Sequence, residues 1–202
     1  MNDSTTSTSR DRLIAAMADA LQRKGLHGVG ISELLSQATS PKGVLYHHFP
    51  GGKTELAVAA IDRMVTRLEG SLAALAEQPE PLQALADWLT QAERLLRDSG
   101  FERGCPLATV ALESTADDGV LRDALAHGFA RLRQALSGLL ERLGIAPPRA
   151  QALATLVLAA YEGALLQARV AGDGAAMTTT TGLLLELLRH ERDINNNNPE
   201  SS

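Results

Sequence analysis

The sequence predicts an all-α protein, with a three-helix helix-turn-helix head and a larger helical body, about nine helices in all. Three observations predict it. Apolar residues make up 45% of the 202 residues and aromatics only 3%, and the apolar mass is Leu and Ala, which favour helix over strand. Apolar positions recur at spacings of three and four, with no strand-like alternation. Proline and glycine fall between the periodic segments, where helices start and stop.

Each element follows from its pattern. Leu13, Met17 and Leu21, with Ile14 and Ala18 beside them, mark one face of a first helix ending near Gly25. Ile31–Gln37 forms a second, with Gly30 as a tolerable N-cap. Ser40-Pro41 restarts the chain as a third, serine capping and proline at the first helical position, where its missing N–H costs nothing. Phe49-Pro50-Gly51-Gly52 ends it, and a long helix runs from Lys53 to about Glu77. Glu80-Pro81 breaks that one. The next carries Leu82, Leu85, Trp88, Leu89, Leu95 and Leu96 and stops at Gly100. Gly104-Cys105-Pro106 opens a short helix through Glu113. From Asp118, Leu121, Leu125, Phe129, Leu132, Leu136, Leu139 and Leu143 repeat at helical spacing until Gly144. Pro147-Pro148 starts a helix rich in small residues, and a last one spans roughly Ala175–His190.

Composition bounds the function. No apolar run approaches the roughly 20 residues that cross a bilayer, and the polar MNDSTTSTSR start has no apolar signal-peptide region. The lone Cys105 has no partner for an internal disulfide, which fits a reducing cytoplasm. Charge is uneven. Residues 1–53 hold six Lys/Arg against four Asp/Glu, while the remainder holds 13 against 20. The positive end therefore coincides with the helix-turn-helix. Residues 1–9 and 193–202 are polar and expected to be disordered. This leaves 10–52 as the DNA-binding head and 53–192 as the body.

At about 100° per residue, Pro41–His48 turns Leu45 to one side. Lys42, Gly43 and Tyr46 gather opposite, with His47 at the edge. Such a face suits a DNA groove: glycine admits close backbone approach, lysine reaches a guanine edge or a phosphate, and Tyr46 and His47 bond phosphates. Lys53 lies at a helix start, where backbone N–H groups already favour phosphate. A merely solvated polar face is the plain alternative.

The segment ATSPKGVLYHHFPGGKTEL resembles the signature of TetR/AcrR-family transcriptional regulators, and the match covers about residues 9–60. Pro41 and Gly51-Gly52-Lys53 resemble the LmrA/YxaF-like branch. So do Gly104-Cys105-Pro106-Leu107-Ala108 with Val110-Ala111-Leu112-Glu113, and Glu162-Gly163-Ala164-Leu165-Leu166. The resemblance implies a homodimeric repressor in which the head binds a pseudo-palindromic double-stranded operator. A linking helix would transmit a signal from a body that binds a small, mostly apolar effector. Carried over by position, the DNA contacts are Ser32, Lys42, Gly43, Val44, Tyr46, His47, His48 and Lys53. Two departures stand in the turn. Thr39 replaces the family's usual glycine and tolerates a left-handed conformation poorly. Ser40 replaces a small apolar residue.

Other chemistries fit less well. Gly52-Lys53-Thr54 looks like the end of a phosphate-binding loop, but that motif needs glycine at position 47, which is histidine. Adjacent helical residues diverge, so His47-His48 is a poor chelate, and neither metal nor cofactor nor catalysis is expected. Cys105 reads as a small buried hydrophobe, a pocket wall or a redox-sensitive thiol. Met64, Trp88, Tyr161 and Glu162 are candidates for the effector pocket alongside Cys105; each also fits plain core, and Glu162 fits either an acid facing a cationic ligand or a solvated position. Ala160, Gly163 and Ala164, with Leu184, Leu187 and Leu188, suit a four-helix interface built from two helices of each subunit. The readings left beside the repressor are a helical ligand-binding dimer without DNA binding and a thiol-based sensor using Cys105.

Overall fold

The computed structural model describes residues 8–197. Among them the chain forms nine α-helices and no strand: α1 Ser9–Lys24, α2 Ile31–Gln37, α3 Lys42–His48, α4 Gly52–Ala76, α5 Pro81–Asp98, α6 Pro106–Glu113, α7 Gly119–Arg142, α8 Pro147–Ala171 and α9 Ala175–Asn197. They gather into two compact units. One contains the chain up to Met64 and takes back Pro106–Gly128; the other contains Val65–Cys105 and the chain from Phe129 onward. The compact unit that contains the anticipated head, residues 10–52, also takes in residues 53–64 and 106–128, and its edge falls within α4.

In the first unit, α1 packs against α2, α3 and α6. Thr8 starts α1 by accepting the Asp11 N–H on its hydroxyl at 3.1 Å, satisfying one of the orphan donors of a helix start. Leu13, Met17 and Leu21 are fully buried along one face. At seven residues each, α2 and α3 are too short to persist alone. Leu34 of α2, and Leu45 and Phe49 around α3, are buried, each burial contributing about 1.5–3 kcal/mol. Tertiary packing therefore decides their helicity.

The second unit has a Leu-rich core. Leu82, Leu85 and Leu89 of α5 meet Leu136, Leu139 and Leu140 of α7, Leu153 and Val157 of α8, and Leu184, Leu185 and Leu188 of α9. Helix α9 packs on both α8 and α5. Proline occupies the first turn of α5 and α8, and Gly172 closes α8 in the left-handed region. Arg131 clasps Glu69 through two nitrogens, with Nε at 2.9 Å, and also donates to the Thr66 hydroxyl. Arg149 pairs with Glu191, holding the start of α8 to α9.

Several details differ from the sequence expectations. Helix α1 already includes Ser9 and α9 continues to Asn197, so residues 193–197 of the anticipated tail are helical. Ile194 sits seven residues after Leu187, at helical spacing. The rest of that tail, and residues 1–7 of the anticipated arm, lie outside the described residues. Ser40 does not cap α3: the cap residue is Pro41 and no side-chain cap bond forms. The Ser40 side chain is instead buried, its Oγ without a hydrogen-bond partner. Finally, α8 is long and apolar enough to cross a membrane by length and composition. The sequence reading passed over it because its hydropathy is spread through alanines. Its inward face, Leu153, Ala154, Val157, Ala164 and Leu165, belongs to the core of the second unit.

Candidate functional site

The outer face of α3 is laid out as its period requires. Leu45 is buried and Val44 half-buried, whereas Lys42, Gly43, Tyr46 and His47 are exposed. A Cβ added to Gly43 would meet nothing within 4 Å. The glycine thus keeps an open strip of backbone between Lys42 and Tyr46, the approach a nucleic-acid backbone needs. Ser32 on α2 is exposed as well.

The remaining two expected contact residues are more constrained. The His48 ring is half-buried. Its Nε2 lies 3.1 Å from the Ser9 hydroxyl, and its ring meets Phe49 edge-on. This side chain holds α3 to the start of α1. Lys53 is half-buried near the N-terminus of α4; burial pushes its ammonium below the ordinary lysine range, and the Glu113 carboxylate pulls it back up.

The turn before α3 is the irregular point of the head. Thr39 has φ +47°, a region that disfavours β-branched residues. The surroundings impose it. The Ser40 N–H bonds the Leu35 carbonyl, the Thr39 N–H bonds Ser36, and Arg12 of α1 donates to the Ala38 carbonyl at 3.2 Å. Arg10 lies 5.3 Å from the centre of the Phe49 ring, a cation–π contact at the other end of α3.

A side chain that the sequence reading did not single out fastens the opposite side of the head. Glu113, the last residue of α6, accepts the backbone N–H of Leu26 at 2.6 Å and of His27 at 3.0 Å. The His27 ring Nδ1 is 3.7 Å away. Gly25 has φ +67°, and a Cβ there would fall 2.0 Å from the Glu113 carboxylate. Both facts require glycine at that position. The only sequence signal is an acid ending the apolar helix PLATVALE; nothing local indicates its partners, 86 and 87 residues away.

In the second unit the structure brings three expected effector residues together. Cys105 and Tyr161 pack against a small core patch of Leu96, Ala164, Leu165, Ala168 and Met177, and Phe101 joins them. The Cys105 thiol hydrogen-bonds the Glu162 carboxyl. Burial pushes the Glu162 carboxyl above the ordinary carboxylate range, with the thiol contact opposing. It also pushes the Tyr161 phenol up, helped by Glu162 and Cys105. Glu162 Oε2 is buried and has no hydrogen-bond partner. Trp88 packs instead on the large Leu core, which Tyr161 also touches. Met64 is half-buried and belongs to the first unit.

Of the expected interface residues, Ala160, Gly163 and Leu187 are half-buried, whereas Ala164, Leu184 and Leu188 are part of the subunit's own core. Leu156, Ala159, Leu166 and Val170 are among the apolar side chains left open on α8. With Gly163 they recur at spacings of three and four, a stripe offset by about one residue from the anticipated one. On α9, Leu183 is 62% exposed. Among the described residues no cluster of His, Cys, Asp and Glu has a metal-binding arrangement.

Comparison with known proteins gives these two regions a context. Residues 13–60 match the bacterial regulatory proteins of the tetR family. Residues 81–182 match the C-terminal domain of LmrA/YxaF-like transcriptional regulators. An HTH-type transcriptional regulator of Mycobacterium tuberculosis is 35% identical over 178 residues, which cover 81% of this chain and 86% of that one. The HTH-type transcriptional regulator LmrA of Bacillus subtilis is 25% identical over 182 residues, 90% and 97% of the two chains. The crystal structure of a TetR regulatory protein from Rhodobacter sphaeroides superimposes with a TM-score of 0.73 at 26% identity, over 88% of this chain and 97% of that one.

Proposed function

The chain belongs to the TetR family of bacterial helix-turn-helix transcriptional regulators, in its LmrA/YxaF-like branch, and from that premise we propose that it is a homodimeric repressor released from its operator by a small, mostly apolar effector. Its relatives are transcriptional regulators rather than enzymes, and no catalytic role is assigned. The observation that carries the reading is the outer face of α3: four polar or small residues exposed together, over a helix anchored from beneath by Leu45 and Phe49. Lys42, Tyr46 and His47 reach the DNA, Gly43 and Val44 meet it closely, Ser32 adds a contact from α2, and Lys53 meets a phosphate. His48 acts chiefly by holding α3 to Ser9.

Two recognition helices set about 34–36 Å apart fit successive major grooves of a pseudo-palindrome. The exposed stripe Leu156–Ala159–Gly163–Leu166–Val170 supports α8 as the centre of the dimer contact, since small residues at its middle admit close helix approach. The effector occupies the body near Tyr161 and Glu162. Cys105 directly precedes α6, the helix that holds the α1–α2 turn through Glu113. A displaced Cys105 therefore moves the helix that steadies the head, and the repressor acts in the cytoplasm. The thiol-sensor reading has less support. Thiolates are stabilised by neighbouring cations, and Cys105 bonds a carboxyl instead.

The test is a fluorescence-anisotropy titration of upstream-region and random DNA at several salt concentrations. Lys42→Ala combined with Tyr46→Phe weakens operator binding by about 1–3 kcal/mol, and loss of Lys42 lowers the salt slope by about one. Thermal melting of the dimer stays unchanged. Unaltered affinity in that variant refutes the contact assignment; equal, weak affinity of the parent protein for every DNA favours a ligand-binding dimer without DNA binding.

A further inference from the structure

Glu162 poses an energetic problem that the free protein does not solve. Its Oε2 is buried with no hydrogen-bond partner, and a carboxyl in that condition costs several times what a satisfied one does. The Cys105 thiol, its neighbour, is a weak donor. An apolar patch lies beside it: Leu96, Leu165, Met177 and Phe101 gather around Cys105 and Tyr161, and Glu162 follows Tyr161 on α8. Selection for stability alone favours an apolar side chain at such a position. The carboxyl oxygen instead stands ready for a donor that the chain itself does not supply.

We propose that the effector is an apolar organic cation, an aromatic or alkyl amine whose ammonium group pairs with Glu162 Oε2. Its hydrocarbon rests on the patch formed by Leu96, Phe101, Leu165 and Met177. The Tyr161 hydroxyl and the Cys105 thiol line the polar end and accept the remaining ammonium protons, beside the charge-assisted pair on the carboxyl. Drawn toward the bound ammonium, Cys105 shifts together with α6, which begins at the next residue. This inference rests on the reading of the body as an effector domain, and it names the chemistry that the domain selects. Selectivity comes from the unpaired carboxyl: a neutral ligand of the same shape supplies no compensating charge, and an anionic one meets repulsion.

Isothermal titration of the full-length dimer with 1-naphthylmethylamine, 1-naphthylmethanol and 1-naphthoic acid tests it, alongside anisotropy of the operator complex. The amine is expected to bind at least about tenfold more tightly than the alcohol, the acid not to bind, and only the amine to release DNA. Glu162→Gln is expected to cut amine affinity about tenfold while leaving the alcohol within about twofold. Equal binding of amine and alcohol by the parent protein, with DNA released by both, overturns the cation assignment and leaves the effector reading standing. If none of the three binds, both fall. The comparison of ligands on the parent protein needs no variant, so a folding defect in Glu162→Gln does not decide the outcome.

Discussion

At the residue scale, the turn between α2 and α3 shows how a site is held against local preference. Thr39 adopts φ +47°, a conformation costing a β-branched residue about 1–3 kcal/mol. It persists because the backbone bonds of Thr39 and Ser40, with Arg12 on the Ala38 carbonyl, define the turn from both sides. Thr39→Gly is therefore expected to stabilise the head by about 1 kcal/mol, the relieved strain outweighing the glycine's added unfolded-state entropy. Denaturant melts with an unchanged m-value check it, and a destabilised variant contradicts the strain. This irregularity was legible in the sequence, because a threonine stands where the family turn carries glycine. The fate of Ser40 was not. A serine before Pro41 reads as a cap, and only the tertiary fold turns its hydroxyl inward.

At the scale of elements, α6 is a short helix with a long reach. It has eight residues and is held by Leu107 and Val110 in the core and by the Glu113 carboxylate on the α1–α2 turn. Glu113→Ala leaves the part-buried Leu26 N–H without its acceptor, and a loss of about 1–3 kcal/mol is expected. Hydrogen exchange should show the loss as faster exchange at Leu26 and His27. Protection unchanged at those two amides denies the contact a structural role. Helix boundaries themselves were readable. Proline at the start of α5 and α8, and glycine at the end of α1 and α8, mark steps where propensity and tertiary structure agree. The Glu113 contact was not readable, because hydrophobic periodicity indicates which face is buried but not which distant backbone a polar end will meet.

For the whole molecule, the dimer contact that we propose uses the stripe left open on α8, about one position from the small residues anticipated in the sequence. Sequence alone sees Ala160, Gly163 and Ala164 as equally small. The packing of α8 on α9 decides that Ala164 turns inward while Leu156, Ala159, Leu166 and Val170 remain open. Leu166→Asp sets a charge in the middle of that stripe. The expected result is a monomer by light scattering, with operator affinity lowered by at least about a hundredfold, because two half-sites no longer bind as one. A dimer that survives the substitution moves the interface elsewhere. The Cys105–Tyr161–Glu162 cluster shows a similar limit. Each residue was a candidate on its own, but a cysteine at a helix start and a Tyr-Glu pair 56 residues later carry no signal that they meet.

Glu113 also bears on the order in which the molecule is made. The α1–α2 turn leaves the ribosome before α6, yet it has its acceptor at residue 113, and its compact unit includes Pro106–Gly128. The nascent head therefore waits, its turn amides bonded to water, until Val65–Cys105 of the other unit has been synthesised. Because of that delay, the synthesis of α1–α3 does not complete the head, whose completion is tied to the arrival of α6.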